Sequence, residues 1–158
     1  MSTRRRQIRE KVLQGLYAYE LSHESTELIL ETIVGGPKKE PEVFELAKSL
    51  FLRVIETREE IDTLIKSRVA NWEFSRLAVI DKIILRIGIC ELLYFEDIPP
   101  KVSINEAIEI ARRYSTEKSD KFVNGVLDSI LDDLKKSGRI RKTGRGLLET
   151  TTKKNPSA

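Results

Sequence analysis

Apolar residues along this 158-residue chain recur at three- and four-residue spacings, the period of amphipathic helices rather than the alternation of strands. Ile8, Val12, Leu16 and Tyr19 predict a first helix running to about Leu21, with Ser2 or Thr3 placed to cap it. Ser22 to Ser25 is a polar break. Ser25 and Glu27 then open a short helix that Gly35-Gly36-Pro37 would stop. Pro41 suits the first turn of the next helix. Val43, Ala47, Leu50, Val54, Ile61, Leu64 and Ile65 keep helical spacing to about Val69. Periodicity leaves open whether this is one helix or two joined near Thr57–Glu60. A break at Asn71–Ser75 follows.

The next stretch departs from amphipathicity. Leu77 to Phe95 is apolar on nearly every side and is interrupted only by Asp81, Lys82, Arg86 and Glu91. Nineteen residues without proline, apolar all round, predict a helix buried at the centre of the fold. A membrane span would need about 20 mostly uncharged residues, and four charges argue against it. Ile98-Pro99-Pro100 ends the helix. Ser103-Ile104-Asn105-Glu106 then has the form of a capping box, with Ile104, Ala107, Ile108 and Ala111 as a buried stripe. Ser115 to Lys118 reads as a turn and Ser119 as a cap, with Asp120 in the positive first turn. Val123, Val126, Leu127, Ile130, Leu131 and Leu134 bury the last helix, which Gly138 ends. The fold class expected is all-α, about seven helices in two small packed helical bundles. Residues 1–137 form the helical domain, and 138–158 a basic flexible tail with little to bury.

Charge changes this picture more than composition does. The net charge is only +3, but residues 1–11 carry five cations against one acid and residues 135–158 eight against one. The body between is therefore acidic. Basic ends on such a body suit a polyanion held at one region. The N-terminal arginines have no apolar run behind them, so no secretory signal is expected. Cys90 has no second cysteine to pair with, which agrees with a reducing, cytoplasmic location.

One histidine and one cysteine leave no His/Cys metal cluster or Cys/His dyad to propose. No glycine-rich phosphate loop occurs. The carboxylates at Glu24, Glu27 and Glu31, or Glu56, Glu59 and Glu60, read as solvated helix faces. Neither an enzyme nor a cofactor is expected.

Cations interleaved with aromatics carry more. Arg5 and Arg9 share one helix face, with Arg6 at its edge, and like charges at that spacing repel. An external anion would relieve the repulsion. Arg112, Arg113, Tyr114, Lys118, Lys121 and Phe122 lie around one interhelical turn. Phosphates want Arg and Lys, and unpaired bases want aromatic faces. Tyr114 and Phe122 could equally close the core beside Ala111 and Val126. Tyr17 lies off the Ile8–Val12–Leu16 stripe, and Asp81 is a charge on an apolar helix. Each is either a buried polar group or part of a docking surface.

Four blocks resemble the NusB transcription antitermination factors. They are R-R-Q-I-R-E-x-x-L-Q-G-L-Y from Arg5, R-L-A-V-I-D-K-I-I-L-R-I-G-I-C-E-L-L-Y from Arg76, I-P-P-K-V-S-I-N-E-A-I-E-I-A-R-R-Y from Ile98, and K-F-V-N-G-V-L-D from Lys121. They fall in order over roughly residues 4–134. The resemblance implies two helical lobes that bind single-stranded boxA RNA together with the ribosomal protein NusE. It also implies entry into the RNA polymerase antitermination complex during ribosomal RNA transcription. Carried over by position, Arg5, Arg6, Arg9, Arg113, Tyr114, Lys118, Lys121 and Phe122 would meet RNA. Tyr17 and Asp81 would face NusE. Lys118 stands where some members have an acid. Gly125, inside a helix, suggests close helix packing, while Asn105, Glu106 and Asn124 are read as structural. The alternative class is a domain related to those fronting ribosomal RNA cytosine methyltransferases, without its catalytic part. Self-association is left open.

Overall fold

The computed structural model describes residues 4–35 and 40–147. Among them are eight α-helices and no strand. Helix α1 spans Arg4–Ser22, and α2 (Thr26–Ile29) continues into a π turn, Leu30–Val34. Then come α3 (Pro41–Glu56), α4 (Arg58–Lys66), α5 (Asn71–Arg76), α6 (Val79–Tyr94), α7 (Pro100–Tyr114) and α8 (Ser119–Lys136). A 3₁₀ turn, Gly144–Leu147, follows. Helices α1 and α3 pack on each other with the π turn against both, while α6, α7 and α8 form the second bundle. Helix α6 touches α1, α3, α4, α7 and α8 and so belongs to both groups.

The central position of α6 follows from its sequence. Every residue from Ile83 through Leu92 is buried. The charges that interrupt it each reach a different neighbour. Asp81 accepts hydrogen bonds from Ser115 and Ser119 at the α7–α8 turn. The Lys82 ammonium stands 4.9 Å from the Phe74 ring centre on α5. Arg86 donates twice to Asp62 on α4, at 2.8 and 3.0 Å. Glu91 takes Arg9 from α1 and Ser103 from α7. These charges fix which helix lies where around a rod that apolar contact alone would grip equally on all sides.

Local signals explain most boundaries. The Ser25 hydroxyl accepts from the Leu28 N–H at 3.2 Å and caps α2, and Gly35, at φ 125°, ends the π turn. The expected cap at Ser2 or Thr3 and the Gly36-Pro37 part of the stop lie outside the described residues. The 42–69 stretch is two helices, parted at Thr57, whose hydroxyl donates to the Arg53 carbonyl at 2.7 Å. The break expected at Asn71–Ser75 is instead the short helix α5. The end of α8 satisfies its carbonyls through Gly138 at φ 74°: the Gly138 N–H donates to Lys135 O and the Arg139 N–H to Leu134 O. That is a Schellman closure.

Two further local readings need correction. Helix α7 starts at Pro100, with Pro99 extended before it, because proline is pre-set for the first helical turn. Ser103 and Glu106 therefore lie inside the helix and form no capping box; their side chains turn to Glu91 and Arg6. Gly125 packs against nothing: a β-carbon built there would meet no atom within 4 Å. The close helix approaches fall at Gly15, against Val34 and Phe51, and at Gly88, against Leu127.

The basic segment after α8, expected to be flexible from residue 138, is docked as far as Leu147. Lys142 donates from Nζ to the carbonyls of Glu91 and Phe95 at 3.0 and 2.8 Å, capping the negative end of α6. The Thr143 N–H donates to Glu96 O at 3.0 Å. Gly146 lies so close that any side chain there would strike the same Glu96 carbonyl.

Gly125→Ala removes a glycine from an open, exposed helix position, so it is expected to raise stability by about 0.5–1 kcal/mol in urea denaturation; a loss would mean that the site is tighter than the structure places it.

Candidate nucleic-acid interface

The candidate surface is built where α1, α7 and the start of α8 meet. Along α1, residues 6, 10 and 17 fall on one stripe. Arg6 donates from Nε to Glu106 Oε1 at 3.0 Å. One turn on, Glu10 accepts from Arg113 Nη1 at 2.5 Å. Two bridges in the same order along both helices make α1 and α7 run side by side in the same sense. They also bring the arginine-rich start of the chain to the α7–α8 region, roughly 10 Å apart along α7. Tyr17, exposed, continues the stripe beyond Glu10.

The turn between α7 and α8 is held from beneath. Ser115 donates to Asp81 Oδ1 at 2.7 Å and Ser119 to Oδ2 at 3.0 Å, with the two hydroxyls 2.9 Å apart. Arg112 crosses the turn to Asp120 at 2.9 Å and also reaches Glu109 at 2.8 Å; the hydrogen bond from Arg112 holds the Asp120 carboxyl below its ordinary range. This leaves Tyr114 as the exposed last residue of α7, and Lys118 and Lys121 exposed at the start of α8. Phe122 is half-buried and packs against the core.

The cations expected at RNA divide into two kinds. Arg9 is 5% exposed. It donates from Nε and Nη2 to the two oxygens of Glu91, at 2.7 and 2.5 Å, and from Nη1 to the Arg5 carbonyl. Burial alone would depress its guanidinium, but the charge and hydrogen bonds of Glu91 hold it above its ordinary value. No external anion is needed to offset the charges of Arg6 and Arg9, because Glu106 and Glu91 offset them internally. Arg9 leaves the surface set as a structural cation. Arg6 and Arg113 stand partly exposed on Glu106 and Glu10, and the Glu106 hydrogen bond raises Arg6 above its ordinary value. Arg5, Lys118 and Lys121 are exposed, with no carboxylate of the described residues bridged to them.

Asp81 is also corrected. It is 8% exposed and both its oxygens are engaged, so it shapes the turn from inside instead of presenting a charge to a partner. Sequence reading missed that Glu10, Glu91 and Glu106 pair with Arg113, Arg9 and Arg6. The only signal for them was an acid in an apolar run, at Glu91, and acids at helical spacing facing an arginine-rich helix. It also missed Arg145, which the docked segment brings to the same cavity as Arg5.

Among the described residues no group of His, Cys, Asp and Glu could hold a metal ion, and no helix is long and apolar enough to cross a membrane. Cys90 is free and buried, and burial pushes its thiol well above the ordinary range, which leaves it inert. The fold and this band thus define an all-helical protein with a basic, aromatic-edged surface where α1, α7 and the start of α8 meet.

The family model described as the NusB family matches residues 6–132. The transcription antitermination protein NusB of Salinibacter ruber is 48% identical over 149 residues, covering 94% of this chain and 93% of that protein. The protein of the same name from Chloroherpeton thalassium is 48% identical over 155 residues, covering 95% and 72%. Among solved structures, NusB of T. maritima superposes with a TM-score of 0.76 at 40% identity, over 84% of this chain and 94% of that one. A structure of the antitermination factors NusB and NusE in complex with double-stranded RNA gives 0.74 at 28% identity, over 84% and 99%. The chain belongs to the NusB family.

Arg9→Ala strands the Glu91 carboxylate in the core and is expected to cost about 3–5 kcal/mol in chemical denaturation. Arg9→Met with Glu91→Leu, which removes both charges, should recover most of that loss. A single variant as stable as the wild type would show that Arg9 is not the internal partner of Glu91.

Proposed function

We propose that this protein is a transcription antitermination factor that works by binding and catalyses no reaction. It holds single-stranded boxA-type RNA together with NusE and carries the pair into the RNA polymerase antitermination complex during ribosomal RNA transcription. The observation that carries the reading is the Glu10–Arg113 bridge, which unites two basic segments about a hundred residues apart in sequence into one face. Such a face suits a flexible polyanion: Arg5, Lys118 and Lys121 offer cations to phosphates, and Tyr114 offers a ring to an unpaired base. Arg6 and Arg113, already charge-paired, keep donors at the same edge and orient the strand. Phe122, half-buried against the core, supports the turn.

The antitermination role rests on family membership and on the names of the relatives. The RNA and NusE partners rest on the resemblance of the four sequence blocks and on the solved complex whose NusB chain shares this fold. Tyr17, on the α1 stripe past the RNA band, is the residue assigned to NusE. Its exposed ring at the rim of a charged face is the kind of anchor that protein interfaces favour.

Arg5→Ala, Lys118→Ala and Lys121→Ala together should weaken binding of a boxA-like RNA without altering the melting temperature. They should also flatten the slope of log K against log salt by up to about 2, at about 0.7 per phosphate contact on a single strand. Fluorescence anisotropy at several salt concentrations measures this, and an unchanged slope contradicts the assignment.

A further inference from the structure

Beside Arg5 a cavity of about 340 Å³ opens between α1, α3 and the α6–α7 junction. Its walls are Ile8, Leu46, Leu50, Phe95, Ile98, Pro99 and Val102, all apolar. Four polar side chains reach it, and one of them, Arg9, is committed to Glu91. The other three are Arg5, Arg145 and Asp97, each exposed and none bridged among the described residues. The docking of the 142–147 segment against Glu96 and the end of α6 holds Arg145 at this rim, which it shares with Asp97 of the α6–α7 junction.

Two cations, one carboxylate and an apolar slot suit one kind of occupant. A wholly apolar ligand would leave the three charges unused, and a small anion would leave the apolar walls unused. An unpaired nucleotide uses both: its base has apolar faces to bury against Phe95 and Pro99, its phosphates match the guanidiniums, and an exocyclic amine on its edge matches a carboxylate. The volume lies within the range of small-molecule sites. The position also fits, because Arg5 both reaches the cavity and ends the basic band.

We propose that this cavity receives one base of the bound RNA, a base carrying an exocyclic amine, with Asp97 accepting from the amine and the flanking phosphates on Arg5 and Arg145. The inference rests on the RNA reading above and adds a specificity pocket to it. It gives the docked basic segment a role at one nucleotide, beyond general attraction to the strand.

The test is a set of boxA-like RNA oligonucleotides in which each position in turn is made abasic, titrated against wild type, Val102→Trp and Leu46→Trp. Both substitutions fill the cavity, from α7 and from α3, and Leu46 is 41% exposed, so that variant keeps the fold if Val102→Trp does not. Wild type should lose roughly 5- to 100-fold in affinity at one abasic position, the worth of one stacked base. The filled variants should bind intact RNA that much more weakly and show no further loss at that position. Asp97→Ala should reduce the preference for cytosine over uracil there. Filled variants that bind intact RNA as wild type does overturn the pocket while leaving the basic band standing. Failure of wild type to bind any of the RNAs overturns the band as well, so the two failures are distinct.

Discussion

The carboxylate of Glu91 is the constraint around which the molecule is arranged. It has no exposure to water and sits near the end of a helix whose preceding eight residues are all buried. A charge so placed is tolerable only with near-ideal partners. It obtains them from two directions at once: a two-pronged guanidinium from α1 and a hydroxyl from α7, at 2.6 Å. Its own backbone carbonyl takes Lys142 from the last segment. One residue thereby sets the placement of the first helix, the seventh helix and the chain after the eighth. The other charges of α6 act likewise on α4, α5 and the α7–α8 turn.

That internal arrangement decides what the surface can do. With Arg9 drawn inward, its helix is rotated so that Arg6 and Glu10 lie along α7, and the two bridges to Glu106 and Arg113 fix the spacing between the chain's basic start and the exposed lysines of α8. Asp81 does the same from below, holding Ser115 and Ser119 so that Tyr114 and Lys118 stand at the rim. Acids inside and cations outside are two sides of one design. The buried pairs contribute geometry, and in the proposed function the unpaired cations contribute affinity for phosphate.

The sequence made the apolar architecture legible because periodicity reports directly on which face is buried. The stripes of α1, α3, α7 and α8, the all-round burial of α6 and the Ser25 cap are where local pattern placed them. What stayed hidden depends on residues far apart in sequence. Ser103 and Glu106 match a capping box letter for letter, yet Pro100 starts the helix earlier and distant charges claim both side chains. Arg9 looked like its neighbour Arg5, and only the position of Glu91, 82 residues on, separates them. Asp81 offered two readings, and the hydroxyls of a turn 34 and 38 residues away decide between them. A basic, glycine-containing segment after α8 resembles a tail by composition, but a bare glycine at 146 and a lysine reaching a helix end let it dock.

The division between inward and outward arginines is measured most directly by the Nε–H resonances of arginine in NMR, followed as a boxA-like RNA is added. The account predicts that the Arg9 signal, bonded to Glu91, is protected from exchange with water and stays in place, while Arg5 shifts together with the backbone amides of Lys118 and Lys121. An Arg9 resonance that exchanges freely or moves with the RNA while Arg5 stays still would contradict it.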